Sequence, residues 1–156
     1  MIKFLPSPIL EGYPLGGRVA VVGIGHAEFG KRTGVTIREL AHEAAVSALE
    51  DAGLNAKDVD ASVIGVAVEE FAAQVSPAAV IHDYVGMGNK PMLRVEAACA
   101  TGSASVRAAW SLVRAGLAET ILVIGVETMT HMGTSRATEL MARAEDTRWE
   151  YPFGIT

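Results

Sequence analysis

The chain has 156 residues, 50% of them hydrophobic and 20% charged, with a mean hydropathy of +0.30. That is one domain's worth of sequence with ample core material, which excludes a disordered, collagen-like or disulfide-stapled chain. The 13 basic and 18 acidic residues give a formal charge of −5 with no basic run, so nucleic acid is not an expected partner, and no apolar stretch reaches the ~18 residues of a membrane span.

Residues 1–17, MIKFLPSPILEGYPLGG, carry one Lys and three prolines among apolar letters. This is wrong for a signal peptide, and the stretch reads as an extended arm on a cytoplasmic protein. Residues 18–25 (RVAVVGIG) are apolar without alternation, as in a strand covered on both faces. A complete helix start follows: Thr36 as N-cap, Glu39 for the capping box, and Val35 against Leu40 as a hydrophobic staple. The apolar face Ile37, Leu40, Ala41, Ala44, Ala45, Ala48 and Leu49 carries the helix to about Ala52, where Gly53 stops it.

Residues 61–68 read as a second buried strand, and Ser76-Pro77 opens a helix that ends near Gly86. A third strand covers 93–98, a third helix 100–115, closed by Gly116, and a fourth strand 120–126. The β-α-β-α-β-α-β order predicts an α/β fold with a mostly parallel sheet and helices on both faces. Residues 131–156, rich in Met, Arg and Glu, have no strong strand signal and read as an excursion from the sheet.

Gly23-Ile24-Gly25 at the end of the first strand invites a dinucleotide reading. The third glycine of that fingerprint is replaced by Glu28, and the helix opens about ten residues late. The chain's single cysteine, Cys99, excludes an internal disulfide, and with four scattered histidines it forms no metal-ligand cluster.

Cys99 instead falls where the third strand meets the third helix, within Glu96-Ala-Ala-Cys-Ala-Thr-Gly-Ser103. Unpaired N–H groups and the positive helix end favour an anion there, and a sharp turn would expose the sulfur at the carboxyl end of the sheet. Small neighbours let a substrate carbonyl approach, as at a nucleophile elbow with sulfur in place of oxygen. The alternative is an inert cysteine packed among alanines. The following helix has only Arg107 and Arg114 as charges, on one narrow stripe, and so expects a second apolar layer beyond this sheet.

Two motifs, VEAACATGSASVRAAW around Cys99 and G-x-E-x-M-T at Gly125, Glu127, Met129 and Thr130, resemble the thiolase family, most closely its sterol-carrier-protein-type and archaeal or bacterial thiolase-like members. The resemblance covers 18–130 as a thiolase N-terminal α/β domain, with 131–156 as the start of the family's loop domain. It implies acyl transfer between coenzyme A thioesters, with no covalently bound cofactor. Cys99 would be the nucleophile and its own N–H an oxyanion donor, with Gly102 and Ser103 shaping the helix start. The best-known branch carries Asn where Glu96 stands here.

The same resemblance implies a half-fold, because a fifth sheet strand, the His base, the second cysteine and a water-holding Asn belong to sequence beyond this chain. No motif places His26, His42, His82 or His131 beside Cys99, and His131, just after the fourth strand, is the remaining local candidate. Expected partners are acyl-CoA, a homo-oligomeric copy, the complementary C-terminal half, and a small OB-fold and zinc-ribbon protein. Alternatives are a ketoacyl- or hydroxymethylglutaryl-CoA-synthase type of condensing enzyme, a thiolase-like aldolase, and a non-catalytic subunit.

Overall fold

The computed structural model describes residues 1–6 and 17–154, and the side chains of residues 1–3 and 19–154. Among them five strands form one sheet: β1 (Ile2–Pro6), β2 (Gly17–Val21), β3 (Ala61–Gly65), β4 (Met92–Val95) and β5 (Thr120–Gly125), in the order β2-β1-β5-β3-β4. Five α-helices accompany them: α1 (Ile37–Ala52), α2 (Glu69–Ala72), α3 (Pro77–Tyr84), α4 (Thr101–Arg114) and α5 (Thr134–Ala142).

The α/β expectation holds where the sequence is richest in β-branched residues. β3 pairs in parallel with both β4 and β5, and all five of its residues are buried. The sheet as a whole is mixed, because β1 runs antiparallel to β2 and to β5. β1 belongs to the stretch read from sequence as an arm; the rest of that stretch, residues 7–16, lies outside the described residues. Five register pairs join β1 to β2, but only Ile2↔Ile121 and Lys3↔Thr120 join it to β5. Ile2–Pro6 is thus a strand that the sequence pattern did not predict.

Side chains on the two faces of the sheet go to different helices, as the strand period of two requires. Ile64, Leu122 and Ile124 join Ile37, Ala41, Ala45, Leu49, Ile81 and Val85 in a core under α1 and α3. Ala61, Val63 and Ile121 join Ala109 and Val113 under α4. Each fully buried Ile or Val contributes roughly 1.5–3 kcal/mol, so these two clusters dominate the cohesion of the fold.

α1 has the expected bounds because its signals are local. The Thr36 N–H donates to Glu39 Oε2 at 2.7 Å, and Gly53 closes the helix in the left-handed region at φ 66°. β2 ends earlier than the apolar run suggests, because the chain beyond it lies against α1. A Cβ at Gly23 would stand 2.4 Å from the Ala48 carbonyl oxygen, and one at Gly25 only 2.3 Å from the Ala48 nitrogen. The two glycines therefore serve backbone-to-helix packing rather than phosphate binding.

Candidate active site

β4 is an edge strand that delivers the chain to Cys99. Beyond Val95 the backbone passes through Glu96 and Ala97 into a 3₁₀ turn at Ala98–Ala100, and α4 starts at Thr101. Ala98 sits in the left-handed region at φ 45° without being glycine, a conformation that costs on the order of 1 kcal/mol. Three hydrogen bonds offset that strain. Glu96 Oε1 accepts the Ala98 N–H at 2.5 Å, and Thr101 Oγ1 accepts the Ala97 N–H at 2.9 Å while donating to the Ala98 carbonyl at 2.7 Å. The turn holds Cys99 exposed, at the strand-to-helix junction read from the sequence.

α4 comes close to the sheet because Gly65 has no side chain. A Cβ there would meet Ser105 Oγ at 2.6 Å and Thr101 Cγ2 at 2.8 Å. The buried face of α4 is Thr101, Ser105, Ala109 and Val113, whereas Gly102 and Ser103 are exposed, and Val106 and Trp110 are 48% and 49% exposed. One sheet covers one face of α4, as its composition implied.

Cys99 opens onto a cavity of about 410 Å³. Ala98, Cys99, Thr101 and Gly102 form one side. The rest of the lining is Val68 and Phe71 around α2, Gly125 at the end of β5, Val126, Glu127 and Met129 beyond it, and Met141 and Ala144 from α5 and its exit. The walls are apolar apart from Thr101 and Glu127. Gly102 thus shares a cavity with Cys99, whereas Ser103 lines a different groove with Val106 and Trp110.

Glu127 Oε2 accepts the N–H groups of Ala67 at 3.1 Å and Val68 at 3.2 Å, while its Oε1 is buried without a partner. Burial pushes its carboxyl above the ordinary glutamate value, against the pull of the Val68, Ala67 and Thr128 N–H groups and of the Arg94 charge. The sequence offered Glu127 only as part of a signature. Its physical cue is a carboxylate placed two residues past the glycine that ends a mostly buried strand.

The histidines are dispersed. His82 is buried: its Nε2–H donates to the Gly88 carbonyl at 3.0 Å, which leaves Nδ1 to accept from the Ser62 hydroxyl at 2.8 Å. His42 meets the Tyr84 ring edge-on at 5.4 Å, and His26 lies 6.2 Å from the Phe29 ring. His131 is exposed and is not among the residues lining the cavity. Among the described residues no group of His, Cys, Asp and Glu is placed to hold a metal ion, and no helix is long and apolar enough to cross a membrane.

Residues 19–151 match the family model for the thiolase N-terminal domain. The chain belongs to the thiolase family. It is 39% identical over 139 residues to an acetyl-CoA acetyltransferase of Methanocaldococcus jannaschii, covering 88% of this chain and 35% of that protein. To sterol carrier protein 2 of Bos taurus it is 35% identical over 126 residues, covering 79% of this chain and 22% of the other. Among solved structures, the Ltp2-ChsH2(DUF35) aldolase superposes with a TM-score of 0.59 at 31% identity, covering 88% of this chain and 34% of that one. This thiolase-family chain therefore spans about a third or less of the length of these relatives, and what it contains is an N-terminal part of the thiolase fold.

Proposed function

We propose that this chain supplies the cysteine nucleophile of an acyl-CoA-processing thiolase site. The observation that carries the reading is Cys99 standing exposed on a strained, hydrogen-bonded turn at the mouth of an apolar cavity. In the step it performs, the Cys99 sulfur attacks the thioester carbonyl, a new sulfur–acyl bond forms, and the bond to the coenzyme A sulfur breaks. The cysteine proton is released to water and the departing coenzyme A thiolate takes one up, so a thiol and a thioester give a thioester and a thiol.

N–H groups at the turn, including that of Cys99, are the candidate oxyanion donors, and Gly102 keeps the approach open. The apolar walls suit the acyl chain. Condensation with a second thioester, or cleavage of a 3-ketoacyl thioester by coenzyme A, then requires an acid and a base. No histidine lines the cavity, so these groups are assigned to a complementary C-terminal half, in the same polypeptide or another. Proton transfer commonly contributes ~10²–10⁴-fold to such reactions, so the chain alone should acylate but turn over slowly.

The open β4 edge and the exposed Val106 and Trp110 of α4 support assembly with further chains, a second copy included. The likeness to an aldolase named together with a DUF35 component supports a second reading, in which the site cleaves a carbon–carbon bond and a small OB-fold and zinc-ribbon protein is the partner. Mass spectrometry after exposure to acetyl-CoA separates the readings. An acetyl group on Cys99 supports acyl transfer, and aldol cleavage without an adduct supports the second.

A further inference from the structure

α2 has four residues, Glu69–Ala72, too few to persist through its own hydrogen bonds, yet it carries Phe71, 1% exposed, into the wall of the Cys99 cavity. Two consecutive residues after β5 grip it at opposite ends. Glu127 Oε2 accepts the Ala67 and Val68 N–H groups at its entry, and the Thr128 hydroxyl donates to the Phe71 carbonyl at 3.1 Å. A third tie, from the β4 side, is the ion pair between Arg94 and Glu69.

We infer that Glu127 is a positioning residue, which sets the α2 wall of the cavity at the distance from Cys99 that acyl transfer requires. The inference rests on the reading of Cys99 as the reacting group. Burying a carboxyl group beside an apolar cavity is unfavourable, and an apolar side chain there would leave two backbone N–H groups without an acceptor. The two oxygens differ. Oε2 holds both N–H groups, and Oε1 is buried without a hydrogen-bond partner. Arg94, the partner of Glu69, is the charged group that acts on this carboxyl.

The test compares the wild-type chain with Glu127→Ala and Glu127→Gln. Loss of the acceptor in the Ala variant should cut the hydrogen-exchange protection of the Ala67 and Val68 amides about tenfold, and should slow acetylation of Cys99 by acetyl-CoA by about the same factor. Gln retains one acceptor oxygen, so both quantities should stay within about threefold of wild type. Alkylation of Cys99 by iodoacetamide, which needs no acyl wall, should be equal in all three.

Unchanged Ala67 and Val68 protection in Glu127→Ala, or Ala and Gln variants that behave alike, would overturn the inference. If the Ala variant does not fold, the wild type decides. The Ala67 and Val68 amide resonances must follow the Glu127 carboxyl carbon through its titration, and resonances that ignore it contradict the assignment. Failure of wild-type Cys99 to acetylate would overturn the acyl-transfer reading instead, while the amide measurements still decide the role of Glu127.

Discussion

Thr101 ties down the residue two places before Cys99 from two places after it: its Oγ1 accepts the Ala97 N–H at 2.9 Å. The same oxygen donates to the Ala98 carbonyl at 2.7 Å, so one hydroxyl spans the whole turn that presents the sulfur. Thr101→Val keeps the shape, including the methyl against Gly65, but leaves a partly buried N–H without its acceptor. It should destabilise the chain by about 1–3 kcal/mol in urea unfolding. Thr101→Ser, which keeps both bonds and loses only a methyl, should cost about 1 kcal/mol. Equal costs for the two would mean that the hydroxyl does not hold the turn.

The glycines divide into two groups with opposite expectations. Gly25→Ala forces a Cβ to 2.3 Å from the Ala48 nitrogen, a backbone atom that cannot step aside, and should cost roughly 3 kcal/mol, the upper part of the overpacking range. Gly102 has open space around its Cβ position and lies in α4, so Gly102→Ala should stabilise the helix by roughly 0.5–1 kcal/mol. The added methyl would nevertheless enter the mouth of the Cys99 cavity and slow acylation. Urea midpoints and acetylation rates on the same two variants check both halves of this expectation.

Much of this was legible in the sequence, and what was not has a physical cause. α1 could be bounded closely because Thr36, Glu39 and Gly53 act within one turn of its ends. β3 and β5 announce themselves as uninterrupted apolar runs. Ile2–Pro6 did not, because its Lys and Pro break the apolar pattern and its place depends on antiparallel pairing with β2 and on two contacts with β5 more than a hundred residues away. The position of Cys99 on a turn followed from local order. The wall opposite it did not, since Phe71, Glu127 and Met141 come from three separate segments that only tertiary packing brings together.

Glu127 also gives the pH dependence of stability a component with an unusual sign. Burial raises its folded-state pKa, so its contribution is fully present below the unfolded pKa and is lost as pH rises through the folded value. Glu39, Glu43 and Asp58 are held low by the backbone N–H groups of Thr36, Glu28 and Asn55, respectively. Their contributions are present above the unfolded pKa and are lost as pH falls through the folded one. Those three are common to wild type and Glu127→Gln, so the stability difference between the two chains isolates Glu127. Wild type should lose ground to the variant as pH rises from the ordinary glutamate value through the raised folded-state value; a flat or opposite difference would contradict the assignment.

Away from the site, Lys90 fastens the segment between α3 and β4. Its ammonium donates to the carbonyls of Ala56 at 2.6 Å, Lys57 at 3.0 Å and Val59 at 2.5 Å. Lys90→Met keeps the aliphatic stem but frees three carbonyls that converge on one point, and should cost about 1.5–3 kcal/mol. Thermal unfolding checks this, and Cys99 acetylation at a temperature where both chains are folded should be unaffected.

The most direct test of acyl transfer through Cys99 is the mass of the chain and of its Cys99 peptide after incubation with acetyl-CoA, for wild type and Cys99→Ala side by side. One acetyl group per wild-type chain is expected, located on Cys99 and removed by added coenzyme A, and none on the variant. A wild-type chain that stays unmodified, or an adduct that forms equally on Cys99→Ala, would contradict that reading.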